Sequence, residues 1–127
     1  MQNYPDSDQQ RILQTIHAIP FGQVATYGLI AKLSGIPGKA RYVGYVLKNL
    51  PEDSNIPWHR IINAQGKISF PVDTEAYREQ KQRLLAENII FKDHRISLKQ
   101  YIWKTPSLEN TLPERLKAHK DLQANAP

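Results

Sequence analysis

The first apolar stripe of the chain is spaced as in an amphipathic helix. Its members recur every three or four residues and are Ile12, Leu13, Ile16 and Ile19. Asp6 or Ser7 can cap the start of this helix, and Pro20 with Gly22 can end it. We therefore expect a helix before residue 20, with its apolar side turned towards the core.

Two shorter apolar stripes follow and are separated by a Pro-Gly turn at residues 37–38. Thr26 can cap a helix over 27–34, and Gly35 can close it. The next helix, over 39–50, has its apolar positions at Val43, Val46, Leu47 and Leu50. Two short helices joined by a tight turn predict a helix-turn-helix.

Short apolar runs in the second half of the chain predict strands. Residues 60–69 predict two short strands around Gly66, an arrangement that is typical of the wing of a winged helix-turn-helix. Residues 96–103 predict a further strand.

A helix over 74–87 lies between these two strand regions. Its inward positions are Tyr77, Leu84 and Leu85. Asn88 can close it, because asparagine tolerates the left-handed backbone conformation. The elements together predict a mostly α fold with a small β wing, a winged helix-turn-helix formed by residues 1–104. Residues 105–127 are rich in proline and mixed charge, which predicts a flexible C-terminal extension.

The chain contains no cysteine among its 127 residues, and this excludes several kinds of chemistry. Disulfides, thiolate metal sites and cysteine nucleophiles all require that residue. The histidines are scattered without companion ligands, so we expect no metal site and no cofactor. The polar start of the chain and its short apolar runs predict a protein without a membrane segment, located in the cytoplasm, or on the nucleoid in a bacterium.

The positive charge is concentrated on the predicted helix-turn-helix. The chain has a net charge of +5, and residues 26–50 contain no acidic side chain. The basic residues of this stretch are Lys32, Lys39, Arg41 and Lys48. From charge alone, a nucleic-acid surface and an ordinary solvated helix face remain equal alternatives.

Three segments carry a family pattern that decides between these alternatives. They are Gly22 to Gly28 (GQVATYG), Ala40 to Pro51 (ARYVG running to NLP), and Ile56 to Ile62 (IPWHRII). Together they resemble the DNA-binding domain of the O6-alkylguanine-DNA alkyltransferases, and the resemblance extends from Asp8 to Lys104. That family has Pro-Cys-His-Arg in the last segment, and its cysteine accepts the alkyl group, whereas this chain has Trp58.

With tryptophan at the thiol position, the chain resembles the alkyltransferase-like subfamily. The resemblance implies a protein that is not an enzyme and that binds O6-alkylguanine in duplex DNA without removing the alkyl group. It also implies binding in the minor groove by the helix-turn-helix, extrusion of the damaged base, and transfer of the lesion to nucleotide excision repair proteins. We expect a monomer.

The resemblance also implies which residues contact DNA. The set comprises Tyr27, Lys39, Arg41, Gly44, Tyr45 and Lys48. Arg41 corresponds to the arginine that fills the space of the extruded nucleotide, and a planar guanidinium can stack there and bond to the orphaned base. Tyr27 corresponds to the tyrosine that helps to rotate the nucleotide. Gly44 would let the DNA backbone approach closely.

The lesion pocket implied by the resemblance includes Tyr27, Pro57, Trp58, His59, Ile68 and Ser69. Asn49, Arg60 and Glu87 are expected to support it structurally, since the family's proton relay has no thiol to serve here. Asn49 is expected to tie the third helix to the loop that follows it. Phe70 can add an apolar wall, and Pro71 and Val72 depart from the small residues of the alkyltransferases.

Two other functions remain open from the residues themselves. A sequence-specific winged-helix regulator would read base edges in the major groove with the third helix. A hydrolase would use His59 and Glu87 to activate water. Product analysis on lesion DNA separates the hydrolase from a binding protein.

Overall fold

The computed structural model describes residues 6–51 and 54–105, and helices predominate in this part of the chain. The helices are α1 (Asp6–His17), α2 (Tyr27–Leu33), α3 (Ala40–Lys48), α4 (Glu75–Ala86) and α5 (Leu98–Tyr101), with a 3-10 turn at Trp58–Arg60. The strands are β1 (Ala25–Thr26) and β2 (Ile61–Ile62). The prediction of a mostly helical fold with a small sheet is confirmed. The predicted C-terminal extension lies outside the described residues from 106 onward, so the boundary at residue 104 stays a prediction.

The first core lies among α1, α2 and α3 and is built from the predicted apolar stripes. Its buried members are Ile12, Ile16, Ile19, Ala25, Ile30, Ala31, Val43, Val46 and Ile61. Thr26 caps α2 as predicted, since its hydroxyl accepts a hydrogen bond from the Leu29 N–H at 3.1 Å. Gly35 has a φ of +85° after the end of α2, a conformation that favours glycine. The helix-turn-helix is therefore fixed by capping and by burial together.

The predicted wing hairpin over residues 60–69 is wrong in its strand pairing. The strand β2 pairs in parallel with β1, with Ala25 opposite Ile61 and Thr26 opposite Ile62. The carbonyls of His59 and Ile61 accept hydrogen bonds from the Gln80 side chain at 3.0 and 2.8 Å, so α4 supplies donors to this segment where the predicted hairpin had placed a second strand. The chain after β2 instead closes into a tight turn.

This turn, residues 63–67, is held by the Asn63 side chain. Its Oδ1 accepts hydrogen bonds from the N–H groups of Gln65 and Lys67 at 2.9 and 3.0 Å. Gly66 is in the left-handed conformation with a φ of +81°. Asparagine and glycine are the residue types that favour such turns. The predicted turn at Gly66 is therefore present, although the hairpin around it is not.

The helix α4 begins after Thr74, whose hydroxyl accepts from the Tyr77 N–H at 3.2 Å. Tyr77 and Leu84 are buried as predicted, but Leu85 is 48% exposed, so its predicted inward position is wrong. The buried positions of α4 are 77, 80 and 84, and a residue one step after Leu84 turns away from that face. Asn88 ends the helix with a φ of +67°, as predicted.

The predicted strand over residues 96–103 is also wrong, because Ser97 starts a short helix. The Ser97 hydroxyl accepts from the Gln100 N–H at 3.1 Å and caps α5. Only Ile102 forms a bridge, in parallel with Val24. This part of the chain closes the second core, whose buried members are Val24, Ile62, Ile68, Tyr77, Leu84, Ile89 and Ile96. None of the helices in the described ranges is long and apolar enough to cross a membrane.

Candidate nucleic-acid interface and base pocket

The exposed side of α3 carries three of the residues that were predicted to contact DNA. Val43 and Val46 anchor the opposite side of the helix in the first core. Arg41, Tyr45 and Lys48 are all exposed, and their spacing of four and three residues places them on one helix face. No ion pair within residues 6–51 and 54–105 uses a cation of this face. The face is therefore open to an external anion.

Lys39 and Tyr45 extend this surface. Lys39 is exposed at the N-cap of α3, where its side chain makes no capping hydrogen bond. Tyr45 is 62% exposed, and its ring stacks on Tyr42 with centroids 6.1 Å apart. An exposed aromatic ring among cations is suited to contact with sugars and bases.

Tyr27 is the first residue of α2, and its ring lies beside Gly44 of α3. A Cβ added to Gly44 would meet the Tyr27 ring at 3.8 Å, which is an ordinary contact. The protein itself therefore does not require glycine at position 44. Gly44 lies against the Tyr27 ring, where α3 packs on the start of α2.

Trp58 stands at the start of the 3-10 turn and belongs to neither core. Its indole is half-buried and makes edge contacts with the Phe70 ring at 6.2 Å and the His59 ring at 6.2 Å. The guanidinium carbon of Arg83 lies 5.3 Å from the centre of the indole. Such a cation contact stabilises a ring by about 0.5 to 1 kcal/mol at exposed sites.

Arg83 is a site residue that was not predicted from the sequence. The sequence spacing could have indicated it, because Glu79, Arg83 and Glu87 lie at four-residue intervals along α4 and its C-cap and so share one helix face. Glu79 bonds to Arg83 at 2.6 Å and holds its guanidinium beside the indole. Arg83 also lines a cleft of about 560 Å³, together with His17, residues 54–57, His59 and Arg60.

Ile68 and Ser69 follow the Asn63 turn towards Phe70. The Ile68 side chain is buried in the second core, whereas Ser69 and Phe70 are exposed. The Ile68 side chain is therefore not available to a ligand, and its place in the lesion pocket stays a prediction. Phe70 stands at the edge of Trp58, as expected for an apolar wall.

Glu87 is the centre of a buried charged network. Its carboxylate accepts hydrogen bonds from the Gly22 N–H at 2.8 Å and from the Arg60 side chain at 2.7 to 3.0 Å. The His59 Nε2 lies 2.7 Å from the same carboxylate. Arg60 also donates to the Ile19 carbonyl at 2.8 Å. Glu87 therefore joins the end of α4 to the 3-10 turn and to the segment that follows α1.

The charge states of this network follow from its burial and hydrogen bonds. Burial alone would raise the pKa of Glu87, but the hydrogen bonds from Arg60, Gly22 and His59 outweigh it and hold that pKa below its ordinary value. Burial lowers the pKa of His59 and outweighs the opposing effect of Glu87. A neutral His59 donates from Nε2 to the ionised carboxylate. Its Nδ1 is then an acceptor, buried and without a partner among the described residues.

Asn49 makes its described side-chain contact within its own helix, and the predicted contact with the following loop, where residues 52 and 53 lie outside the described part of the chain, stays a prediction. Its amide Nδ2 donates to the Tyr45 carbonyl at 2.8 Å, four residues back along the chain. The side chain therefore closes its own helix, since the last carbonyls of a helix lack partners within it. Among the described residues it makes no hydrogen bond to the loop before Trp58.

Comparisons with known proteins agree with this geometry. The sequence profile described as "6-O-methylguanine DNA methyltransferase, DNA binding domain" matches residues 7–89. A DNA base-flipping protein of Vibrio parahaemolyticus is 50% identical over 95 residues, which cover 74% of this chain and 93% of that protein. Alkyltransferase-like protein 1 of Schizosaccharomyces pombe is 36% identical over 104 residues, covering 78% and 96% respectively.

A solved structure supports the same relationship. The crystal structure of S. pombe Atl1 in complex with damaged DNA containing O6-carboxymethylguanine superimposes with a TM-score of 0.72 at 32% identity. The match covers 81% of this chain and 99% of that one. The chain thus belongs to the alkyltransferase-like proteins, within the family defined by the DNA-binding domain of 6-O-methylguanine DNA methyltransferase.

Proposed function

We propose that this protein recognises O6-alkylguanine in duplex DNA and holds the extruded base at Trp58 without chemical change. The observation that carries the proposal is the connection of two surfaces. The open cationic face of α3 reaches Tyr27 through Gly44. Tyr27 directly follows β1, which pairs with β2, and β2 comes just after the Trp58 turn. A duplex bound on α3 would present an extruded nucleotide to that turn.

The α3 face supplies the contacts to DNA in this proposal. Lys39 and Lys48 neutralise phosphates, which makes the affinity fall with salt concentration. Arg41 enters the base stack and bonds to the unpaired partner base, because its guanidinium is planar and has no ion-pair partner among the described residues. Gly44 has no side chain, so the DNA backbone can approach α3 closely at this position.

Trp58 supplies the binding surface for the lesion. Arg83 occupies one side of the indole and Phe70 packs at its edge, so the ring orientation is fixed before DNA arrives. The remaining surface of the ring can contact the flipped base or its alkyl group. Stacking on an aromatic side chain stabilises a bound base by about 1 to 3 kcal/mol.

The same position explains the absence of alkyl transfer in our proposal. The transfer reaction of the alkyltransferases ends with the alkyl group on a cysteine, and this chain contains none. An indole is not a comparable nucleophile. His59, Arg60 and Glu87 are bonded to each other and act as support for the Trp58 turn.

One observation favours hydrolysis as a second candidate. His59 is held by Glu87 through Nε2, and its unpartnered Nδ1 is a neutral acceptor that could remove a proton from water. Hydrolysis would release the alkyl group or the base, whereas recognition leaves both in place. The two candidates therefore differ in product and not only in rate.

The downstream partners are proposed from the resemblance. We infer that the bound lesion is passed to nucleotide excision repair proteins, and that the protein acts as a monomer in the cytoplasm or on the nucleoid. Sedimentation of the protein with lesion duplex measures the stoichiometry. A complex of two protein chains on one lesion would contradict the monomer.

A matched pair of duplexes tests the function. The two duplexes have one sequence and differ only by O6-methylguanine in place of guanine at one position, and fluorescence anisotropy gives the dissociation constant of each. We expect tighter binding to the lesion duplex and complete recovery of O6-methylguanine by mass spectrometry after long incubation. Equal affinity for the two duplexes would overturn the proposal, and recovery of guanine or of an abasic site would establish hydrolysis instead.

A further inference from the structure

The chain between Asn88 and α5 forms a small hairpin that the α3 interface does not include. Lys92 and Arg95 are paired by two backbone hydrogen bonds of 2.7 and 3.1 Å. Asp93 and His94 between them have φ values of +54° and +65°. Positive φ at both central residues matches the twist of a two-residue hairpin turn, and aspartate and histidine are among the non-glycine residues that adopt it most readily. We call residues 92–95 the basic hairpin.

The basic hairpin holds two positive charges side by side. Residues directly opposite each other on paired strands project from the same face, and like charges in such a pair are destabilising. Lys92 and Arg95 are both exposed, and Asp93 at the tip is exposed too. In the described ranges no ion pair includes any of these three residues. An external anion between the two cations would relieve their repulsion.

The basic hairpin is attached to the Asn63 turn. The Ile96 N–H donates to the Gly66 carbonyl at 2.9 Å. A Cβ added to Gly66 would lie 2.4 Å from the Ile96 carbonyl oxygen, so only glycine permits this close approach. The hairpin therefore follows the position of the turn, and exposed Lys67 adds a third cation beside it.

The turn itself lies beside the DNA-contacting residues. The strands β1 and β2 are parallel, so the residues that follow them emerge at the same edge of the sheet. Tyr27 follows β1 and Asn63 follows β2. The order along this side of the molecule is thus α3, Tyr27, the Asn63 turn and the basic hairpin.

We propose that the basic hairpin, with Lys67, binds phosphates of the same duplex that α3 binds. This inference rests on the proposed function in binding DNA and adds a second contact region beyond the helix-turn-helix. A duplex is the partner that fits, because its phosphates form an extended row of anions that can continue from α3 to the hairpin. The contact would be independent of sequence and of the lesion, and it would serve as the wing that residues 60–69 do not form.

Charge removal at the hairpin tests this inference. The test variant carries Lys92→Gln and Arg95→Gln, and the control carries Lys32→Gln and Arg78→Gln, which remove two exposed cations elsewhere. Lys32 is at the end of α2 remote from Tyr27, and Arg78 is on α4. A third variant, Lys92→Arg with Arg95→Lys, retains both charges. Anisotropy is measured for damaged and undamaged duplexes over a series of salt concentrations.

We expect the test variant to lose roughly tenfold in affinity for both duplexes, with the ratio between them unchanged, and the slope of log affinity against log salt to become shallower by about 2. The control and the charge-retaining variant should bind like the parent. A test variant with parental affinity and salt slope, and with a parental circular dichroism spectrum, would overturn the inference. Because the parent would still prefer the lesion in that case, the proposed function would stand; loss of lesion preference in the parent itself would refute the proposed function instead.

Discussion

Arg41 and Arg60 are the same residue type in opposite surroundings. Arg41 projects from α3 into solvent and belongs to no ion pair among the described residues. The Arg60 side chain is only 17% exposed and is bonded to Glu87 and to the Ile19 carbonyl. The exposed arginine is available to a partner, whereas the enclosed one uses its donors to hold the fold together. The surroundings of a charge, rather than its residue type, separate binding residues from supporting residues in this protein.

Removal of the buried Glu87 carboxylate is expected to have the largest effect on this protein. We expect Glu87→Gln to lower the free energy of unfolding by about 3 kcal/mol, because Arg60 would then remain enclosed without a compensating charge. Urea denaturation followed by circular dichroism measures the change. The matched control is Glu79→Gln, which breaks an ion pair whose partners are both about half exposed. It should cost less than about 1 kcal/mol. Equal losses in the two variants would show that the Glu87 network does not support the fold.

Truncation of the pocket aromatic should act on lesion binding and leave the fold intact. We expect Trp58→Ala to weaken binding to the O6-methylguanine duplex roughly thirtyfold, which corresponds to about 2 kcal/mol of lost stacking. Binding to undamaged duplex, which depends on phosphate contacts, should change by less than about twofold. Phe21→Ala is the control, because Phe21 is 63% exposed and lies beside Arg60 instead of Trp58. A parallel loss on both duplexes would place Trp58 outside the lesion pocket.

The exposed arginine should matter for binding and hardly at all for stability. We expect Arg41→Ala to weaken lesion binding about tenfold, or about 1.4 kcal/mol, since alanine neither fills the space of the extruded base nor bonds to its partner. The unfolding midpoint should stay at the parental value. Arg78→Ala removes another exposed helical arginine and should leave the affinity unchanged. An unchanged dissociation constant for Arg41→Ala would reduce Arg41 to a solvated surface residue.

The helices α1 to α4 were predictable from the sequence because their signals are local. The cap at Thr26 directly precedes α2, and the left-handed residue Asn88 lies within two residues of the end of α4. The parallel pairing of β1 with β2 was not predictable in this way, since it joins segments 36 residues apart, from Ala25 to Ile61. The hydrogen bonds from the Gln80 side chain to the His59 and Ile61 carbonyls were not predictable either, because they join α4 to a segment about twenty residues earlier in the chain.

The candidate site was predictable to the extent that family motifs carry it. Trp58 and Arg41 were identified from their motif positions, and the structure places them in surroundings suited to the expected roles. Arg83 lies outside every motif and reaches Trp58 only through the tertiary fold. The bond from Asn49 to the Tyr45 carbonyl was not predictable from a motif either, because a motif position does not fix which acceptor an amide side chain finds.

The smallest expected effect is a dependence of stability on pH that belongs to the enclosed network alone. Burial lowers the pKa of His59 below 6.5, so between that lowered value and 6.5 the unfolded chain binds a proton that the folded chain does not. Stability therefore falls as the pH decreases through this window. For Glu87, burial favours a higher pKa, but the hydrogen bonds from Arg60, Gly22 and His59 prevail and set the pKa below 4.5. The contribution of Glu87 to stability is therefore present above pH 4.5 and is lost as the pH falls through the lowered pKa.

The dependence of stability on pH in these two windows therefore measures the contribution of the Glu87 network. Urea midpoints measured from about pH 7 to about pH 3 should decrease in both windows, and His59→Gln should remove the decrease in the upper window only. Added salt should change these midpoints little, because enclosed charges are weakly screened, whereas the same salt should weaken DNA binding by the exposed α3 face. A midpoint that rises as the pH falls below 6.5, or an upper-window decrease that persists in His59→Gln, would contradict the assignment. If the expected results are obtained, DNA binding by the α3 face depends on salt and the stability supplied by the Glu87 network depends on pH. A change of salt or of pH alone therefore separates the charges that bind DNA from the charges that support the fold.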